Sequence, residues 1–405
     1  MNKGSFLYRL AVVLIGSLMG PISLQAQDAD PFPDVNPRDY YGSMTLSVCV
    51  VDEGQTLTHD VVVAAYSGDQ LRGKGAPQDA KRPGVVYLTA WGDATGEELY
   101  FRVYAQGRVV EVRPAGFAYQ HNGIVGSPKH PYLLDLADAC ATDISLYDRS
   151  DNSLTLMDYH AYWANVTLSG RTLYKDGAWN TLCLPFDVGA GQMASPDHPL
   201  HEAIIWQMDT ENLYDGGRQT GYDAGTGRLC LYFRPVGSIR AGVPCLVRWD
   251  KAEGYDQTAS EERDVKNPVF DHVTIDNSRE AQERMVVCSQ DGAVSFDGNY
   301  SPTEVAAGDP TVLFLDTDNT LRTQNPDHSG TLRSLRACFR LHGISFAQIR
   351  SVALGLGDET TATPSMTLQP DADRTEWHTL NGQRLGEKPA RPGIYLCGQR
   401  KVLVK

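Results

Sequence analysis

The sequence lacks the short motifs by which common catalytic and nucleotide-binding sites are recognised. It contains no G-x-S-x-G serine motif, no H-E-x-x-H zinc motif, no G-x-x-x-x-G-K-[ST] phosphate loop and no C-x-x-C pair. Basic residues are also few, since 36 Lys and Arg stand against 50 Asp and Glu, a formal charge of −14. Such a chain repels phosphate backbones. We therefore expect no nucleic-acid partner. Because the motifs named above are missing, we identify no catalytic residue, metal site or cofactor.

Long apolar runs are also missing, except at the N-terminus. There, LAVVLIGSLMGPISL follows Lys3 and Arg9, and Leu24 and Ala26 stand at the −3 and −1 positions of a cleavage site. This pattern is typical of a secretory signal peptide over residues 1–26, with a membrane anchor as the alternative. No other stretch reaches the ~18 apolar residues of a spanning helix. We expect an exported mature chain without a transmembrane span, at the cell surface or outside the cell, or alternatively in the periplasm.

Amphipathic helical periodicity is not evident either, and short apolar or alternating runs take its place. MTLSVCVV, GVVYLTAWG and LYFRVYAQG are examples, and Gly, Asp and Asn bound them. Runs of this kind with turn residues between them predict β-strands. The sequence predicts an all-β fold of tandem β-sandwich domains, Ig-like or jelly-roll-like, with a small C-terminal antiparallel β unit.

A chain of 405 residues is too long for one ordinary core. We predict a β-sandwich domain over residues 38–138 and a second over 140–357, which one domain or two subdomains could fill. The polar, proline-containing stretch 358–374 reads as a linker, and 375–405 as the C-terminal unit.

Eight cysteines are spread widely, and nearly all stand in apolar strand-like runs. Buried free thiols are therefore favoured over a disulfide framework, since free cysteine packs as a small hydrophobe. Pairings of Cys183 with Cys230, or of Cys230 with Cys245, stay open.

The stretch RTLYKDGAWNTLCLPFDV contains Cys183 and allows two interpretations. A nucleophilic cysteine needs a nearby histidine or cation, and His160 and His198 are the nearest histidines in sequence. The alternative is a hairpin in which Asp176-Gly177 forms a type I′ turn and Cys183 only packs. We favour the hairpin.

Two polar clusters and several aromatics have a weak resemblance to binding sites. His198, His201 and Glu202 could approach a zinc ion, but two prolines favour a surface loop. The run Asp316, Asp318, Asn319 fails the calcium-loop pattern and fits a hairpin turn better. The aromatic candidates for a sugar-stacking platform are Trp91, Tyr104, Trp163, Trp206 and Trp249, although core packing is the commoner role of such residues.

The C-terminal stretch WHTLNGQRLGEKPARPGIYLCGQRKVLVK resembles the sorting tail of type IX (Por) secretion substrates of the Bacteroidota. The resemblance implies that the secretion machinery is a partner. It rests on three motifs, whose residues are Leu380, Asn381, Gly382, Gln383 and Arg384; Pro392, Gly393, Ile394 and Tyr395; and Lys401, Val402, Leu403, Val404 and Lys405.

Two further segments, VVVAAYSGDQLRGKG with its continuation and VTLSGRTLYKDGAWNTLCLPFDV with its continuation, resemble uncharacterised modules of Bacteroidota surface proteins. Such modules accompany adhesin-like proteins and imply no catalytic residue. We expect a non-enzymatic surface or secreted protein that binds a polysaccharide or host glycoprotein. The alternatives are a secreted glycan hydrolase and a structural stalk or pilus-like part assembled by β-strand addition.

Overall fold

The computed structural model describes residues 30–214, 216–251, 263–316 and 320–356, together with the backbone of five short strands between 365 and 404. The predicted signal peptide lies outside these residues. Strands account for 46% of the structure and helices for 8%. The prediction of an all-β, sandwich-like architecture is thus confirmed.

The first region is a sandwich of two five-stranded sheets. Its strands are β1 (Gly42–Asp52), β2 (Gln55–Thr56), β3 (Val61–Ser67), β4 (Gln70–Gly75), β5 (Val85–Gly92), β6 (Tyr100–Ala105), β7 (Arg108–Val112), β8 (Ile124–Val125), β9 (Tyr132–Asp135) and β10 (Ala139–Cys140). One sheet has the order β2-β1-β5, with β8 and β9 parallel to β1, and the other has the order β10-β7-β6-β3-β4. Short 3-10 helices lie at Pro37–Asp39 and Leu136–Asp138.

Alternation along the strands builds the core of this sandwich. On β1 every second side chain points inward, because neighbouring side chains of a strand face opposite sides of the sheet. Met44, Leu46, Val48 and Val50 are at most 1% exposed and share one hydrophobic cluster. Burial of such side chains stabilises the fold by about 1.5–3 kcal/mol each.

The second region carries most of the remaining strands. They are β11 (Thr142–Tyr147), β12 (Trp163–Ser169), β13 (Thr172–Leu173), β14 (Asn180–Leu182), β15 (Ile204–Met208), β16 (Gly221–Asp223), β17 (Arg228–Pro235), β18 (Cys245–Arg248), β19 (Val265–Lys266), β20 (Val269–Thr274), β21 (Val286–Cys288), β22 (Val294–Gly298), β23 (Thr303–Val305), β24 (Val312–Leu315), β25 (Leu321–Thr323), β26 (Gly330–Leu332), β27 (Ala337–Leu341), β28 (Ser351–Leu356) and β29 (Ser365–Met366). The helices are α1 (Ser153–Asp158), α2 (Ala190–Met193), α3 (Arg279–Glu283) and a 3-10 turn at Phe346–Gln348.

These strands form three main sheets. The orders are β11-β12-β20; β14-β18-β15-β17-β28-β29, with β16 beside β17; and β21-β22-β27-β24-β25. Most pairs are antiparallel, but β11 with β12 and β17 with β28 are parallel. The short pairs β13-β19 and β23-β26 stand apart.

Apolar packing connects the first sandwich to the second region. One cluster joins Tyr66, Tyr100 and Val109 of the sandwich to Phe186 and Phe270 of the second region. A separate cluster forms around Phe233, Phe296 and Phe339, whose rings stack or meet edge to face. The outer face of the β3-β6-β7 sheet is therefore covered by the second region.

The hairpin predicted around Asp176-Gly177 is wrong. The strand β13 pairs with β19, and β14 pairs with β18. Gly177 alone of the two turn residues has a left-handed φ of 87°, whereas a type I′ turn needs both. The Asn180 side chain instead accepts from the Tyr174 N–H and donates to the Tyr174 carbonyl, both at 2.9 Å. These bonds hold the loop ends together without a ladder.

Two other predicted elements are present. The strands β24 and β25 pair antiparallel, which confirms the hairpin predicted after TVLFL, although Asp318 and Asn319 lie outside the described residues. Near the C-terminus, β30 (Trp377–Thr379), β31 (Arg384–Leu385), β32 (Gly393–Cys397) and β33 (Arg400–Val404) form an antiparallel sheet in the order β31-β30-β32-β33. In the part of the chain that the structure describes, no helix has the length and apolar character to span a membrane.

Candidate functional site

A cavity of about 540 Å³ lies where the first sandwich meets the second region. This volume is within the ~300–1,000 Å³ of typical ligand pockets. Tyr104, on β6, and Gly107, in the turn between β6 and β7, line one side. We call this cavity the junction cleft, and the polar side chains of its other side are His160, Asp187, Gln192, His272, Thr274 and Asp276.

A β-bulge places His272 in the wall of the cleft. The ladder between β12 and β20 pairs Ala164 with Val273 and Val166 with Phe270, so two residues of β20 stand opposite Asn165. His272 is one of them and has a φ of 56°, a left-handed conformation that is uncommon outside glycine. Bulges of this kind redirect a side chain and are frequent beside functional sites.

Polar and aromatic contacts hold the bulge in place. The His272 N–H donates to Asn165 Oδ1 at 3.2 Å, and Asn165 Nδ2 donates to Asp143 Oδ1 at 3.0 Å. The His272 ring stacks on Trp163 with centroids 5.0 Å apart, and the Arg108 guanidinium lies 5.4 Å from the same indole. The strain at His272 is thus offset by two contacts, the hydrogen bond to Asn165 and the stack on Trp163.

His160 presents one ring nitrogen to a backbone donor. The Asn277 N–H donates to His160 Nδ1 at 3.0 Å. A ring nitrogen that accepts a hydrogen bond carries no hydrogen, so the neutral ring has its hydrogen on Nε2. The next residue, Ala161, bonds to both regions, because its N–H donates to Ile275 O and its carbonyl accepts from the Val109 N–H. His160 therefore brings a hydrogen-bond donor to the seam between the regions.

Two carboxylates line the cleft in different surroundings. Asp187 is exposed, and its Oδ1 accepts from the Ala241 N–H at 2.7 Å. Asp276 lies 3.0 Å from Arg284 Nη2 and accepts from the Ser278 N–H. Burial alone would raise the pKa of Asp276, but the hydrogen bonds from Ser278 and the charge of Arg284 outweigh it and lower the pKa. Asp276 is held as a carboxylate.

A charged cluster around the buried Glu111 carboxylate lies on the sandwich side. Glu111 lies 3.2 Å from Arg102 and 3.3 Å from Arg113. The Arg102 guanidinium lies over the rings of Tyr66, at 4.4 Å, and Tyr162, at 5.4 Å. Burial raises the pKa of Tyr162, so the ring stays neutral. Because Tyr162 belongs to the second region, these contacts fix the two walls relative to each other.

Cys183 is a packed residue, as predicted. It is 0% exposed, and its thiol donates to Gly242 O at 3.3 Å. Burial raises the pKa of Cys183 well above its usual value, which disfavours the thiolate needed for nucleophilic attack. Cys183 and Cys245 are free thiols, so neither of the two disulfide pairings left open by the sequence forms.

The remaining sequence candidates lie elsewhere. His198 and His201 stand in turns, where His198 Nδ1 accepts from the Leu200 N–H and burial lowers the pKa of His198. His201 Nδ1 approaches Met193 O at 3.3 Å, and Glu202 is exposed. No group of three or more potential metal ligands occurs within the described ranges.

The aromatic candidates are buried or half-buried, and they divide between the core and the junction cleft. Trp249 is buried and donates to His201 O, and Trp206 packs on Trp179 at 5.5 Å. Trp91 is half-buried on β5. Tyr104 lines the junction cleft, and Trp163 supports it from behind the His272 ring. Two of the five aromatics proposed from the sequence are therefore at this site.

His272, Asp187 and Asp276 are not among the candidates that the sequence suggests, and His160 is one only as a neighbour of Cys183. These residues come from separate segments, so no motif spacing connects them. The one local signal is Asp271-His272 in the middle of an apolar strand pattern, where two consecutive polar residues are compatible with a bulge.

No family model, no curated protein and no solved structure matches the chain.

The described part of the predicted sorting tail is in strands. Arg384 begins β31, Gly393 to Tyr395 begin β32, and Lys401 to Val404 complete β33. Outside the described residues are Leu380, Asn381, Gly382, Gln383, Pro392 and Lys405.

Proposed function

We propose that this chain is an exported, non-enzymatic β-module protein that binds a glycan or the glycan of a host glycoprotein in the junction cleft. The observation that carries the proposal is the composition of that cleft. An aromatic side chain, Tyr104, lines the same cavity as the hydrogen-bonding groups of His160, Asp187 and Gln192. Sugars offer an apolar ring face and a rim of hydroxyl groups, which such a surface complements.

The strained bulge at His272 supports the same site. A histidine whose backbone is in the left-handed conformation is strained, and such strain is commonly retained at ligand sites. The ring is stacked on Trp163, so its edge is held in one orientation. A ligand entering the cleft meets a preorganised wall, which reduces the entropy lost on binding.

A glycan-array screen of residues 27–405 tests the proposal. We expect specific binding that Tyr104→Ala weakens by about two- to tenfold, since loss of a ring stack is worth ~0.5–1.5 kcal/mol. His272→Gly removes the ring and keeps the backbone conformation accessible, and we expect it to weaken binding too. The matched control is His59→Ala, whose side chain is 84% exposed in the first sandwich. Absence of any glycan hit contradicts the proposal.

A secreted glycan hydrolase is the second candidate, because Asp187 and Asp276 line one cleft. Glycosidases use two carboxyl groups, one of them a general acid with a raised pKa. The pKa of Asp276 is lowered instead, so in a hydrolase Asp276 would be the nucleophile or base and Asp187 would have to be the general acid. Release of reducing sugar from a bound glycan, lost in Asp187→Asn and Asp276→Asn, would favour the hydrolase.

Export through the N-terminal signal and the C-terminal tail completes the proposal. The tail strands β30 to β33 present a small antiparallel sheet as the element that secretion machinery recognises. Deletion of residues 375–405 is expected to leave the chain in the periplasm. Mass spectrometry of the extracellular form tests cleavage, because a mature chain that still carries Lys405 contradicts sorting with removal of the tail.

A further inference from the structure

We propose, on the premise that the junction cleft binds a glycan, that it accepts uncharged sugar units and excludes uronic and sulfated ones. The residue that discriminates between uncharged and anionic sugars is Asp187, and His160 supplies a hydrogen-bond donor to the sugar. The ligand class of the site is therefore uncharged sugars.

The charges around the cleft carry the argument. Asp276 is compensated by Arg284, whose Nη2 lies 3.0 Å away. Asp187 has a neutral partner, the Ala241 N–H, and within the described part of the chain it makes no ion pair. The cleft therefore retains one uncompensated carboxylate, in a chain whose formal charge is −14. An anionic sugar placed there meets like charge at short range.

The contacts of the two histidines also bear on this balance. His160 Nδ1 accepts from the Asn277 N–H, and an imidazolium ring has no acceptor nitrogen. Its bond to the backbone therefore requires the neutral ring. The His272 ring stacks on the Trp163 indole, and the Arg108 guanidinium lies 5.4 Å from that same indole. The basic side chains beside the site are thus engaged within the protein, Arg108 with the Trp163 indole and Arg284 with Asp276, and the Asp187 carboxylate keeps its neutral partner.

The donors and acceptors fit hydroxyl groups. A carboxylate accepts hydrogen bonds from hydroxyls and offers no donor to an anionic sugar. The Nε2–H of His160 is a single neutral donor, suited to a hydroxyl or an acetamido carbonyl. Gln192 is fixed by the Gly189 N–H on Oε1 at 2.9 Å and by a bond from Nε2 to Asp271 O at 3.4 Å, which leaves its second amide hydrogen for the ligand. Uncharged sugars satisfy all three groups.

The experiment compares neutral oligosaccharides with uronic and sulfated counterparts of equal length by calorimetric titration of residues 27–405. We expect the neutral members to bind at least about tenfold more tightly, as expected for one like-charge contact in a partly solvated site. Asp187→Asn should weaken the binding of neutral oligosaccharides a few-fold. It should also reduce the ratio of the affinity for neutral sugars to that for acidic sugars about tenfold. Asp187→Glu should keep the ratio, and Glu304→Gln, which removes an exposed carboxylate on β23, should change nothing.

The outcomes separate the two proposals. Equal or tighter binding of acidic sugars that is lost in Tyr104→Ala overturns the charge selection and leaves glycan binding at the cleft standing. The charge selection is also overturned if a folded Asp187→Asn variant keeps the same ratio of affinities for neutral and acidic sugars. If no oligosaccharide of either series binds, the glycan-binding function itself is wrong, and this inference fails with it.

Discussion

At the residue scale, the backbone of His272 connects strain with the candidate site. Its φ of 56° is held by the Asn165 side chain and by the stack on Trp163. Asn, Asp and His tolerate the left-handed region better than other residues with a Cβ, and β-branched residues tolerate it least. The side chain at this position is therefore constrained by conformation as well as by contacts.

Substitution of His272 separates these two constraints. His272→Val should lower the free energy of unfolding by about 1–3 kcal/mol, because a β-branched residue cannot relax at positive φ. His272→Gly should stay within about 1 kcal/mol of wild type, since relief of strain offsets the lost stack. Urea denaturation measures both. Equal destabilisation by Gly and Val would show that the conformation at position 272 carries no strain.

A second residue-scale prediction concerns acid stability. Burial alone would raise the pKa of Asp209, but hydrogen bonds from Asn212, the Glu211 N–H and Tyr214 lower the pKa to about 2. A carboxylate with a lowered pKa stabilises the fold while ionised, so its contribution is complete above about pH 5 and is lost as the pH falls toward about 2.

The comparison of wild type with Asp209→Asn tests this contribution. The stability difference between them should shrink by about 2 kcal/mol between pH 5 and pH 2, measured by denaturant titration at each pH. A difference that does not depend on pH would mean that Asp209 is not stabilised as the anion.

At the element scale, glycines on β4 let two sheet edges approach. A Cβ on Gly73 would lie 1.9 Å from the Thr89 carbonyl oxygen of β5, and one on Gly75 would lie 2.4 Å from that of Tyr87. Backbone atoms cannot move as a flexible side chain can. The edges of β4 and β5 therefore approach closely only because β4 has glycine, without a side chain, at two alternate positions.

Gly73→Ala should destabilise the chain by about 1–3 kcal/mol or more through this overlap. Gly237→Ala is the matched control, since a Cβ there meets nothing within 4 Å, and its effect should be within about 0.5 kcal/mol. Thermal unfolding of both variants measures the contrast, and a harmless Gly73→Ala would contradict the close approach of the strands.

The strands themselves could be predicted because alternation and turn residues are local signals. The partners of the strands could not, as residues 171–188 show. An Asp-Gly step between two strand-like runs indicates a hairpin, yet β13 and β14 each pair with strands that are distant in sequence. Asn180 supplies the local bonds that a hairpin ladder would have made, and nothing in the residue order distinguishes the two arrangements.

The junction cleft was harder to predict for the same reason. Tyr104, His160, Asp187 and His272 come from four segments that only the packing of the two regions brings together. Tyr104 could be proposed as an aromatic candidate. The packed state of Cys183 could be predicted because its neighbours along the chain are apolar.

At the scale of the whole molecule, a buried carboxylate paired with two arginines joins distant parts of the chain. Asp148, 1% exposed after β11, lies 2.8 Å from Arg336 and 3.4 Å from Arg333, and its carbonyl accepts from the Ser334 N–H. Burial, only partly offset by Asp148, lowers the pKa of Arg336. This contact fixes the β11-β12 sheet to the segment that leads into β27.

Asp148→Ala should cost about 1–3 kcal/mol, because it removes the buried carboxylate that bonds to the half-buried Arg336 and leaves that guanidinium without its acceptor. Arg279→Ala is the control, since its pair with Glu283 is exposed on both sides and should be worth less than about 0.5 kcal/mol. Denaturant titration compares them. Similarly small losses of stability in both variants would show that the contacts of Asp148 do not hold the β11-β12 sheet to the segment before β27.

The central claim is that the cleft between the first sandwich and the second region holds an uncharged sugar. A crystal structure of residues 27–405 with a bound neutral oligosaccharide tests it most directly. We predict a pyranose ring against Tyr104, with hydroxyl groups within hydrogen-bond distance of Asp187 and of His160 Nε2. A sugar bound at any other surface, with the cleft filled by water alone, would contradict the account.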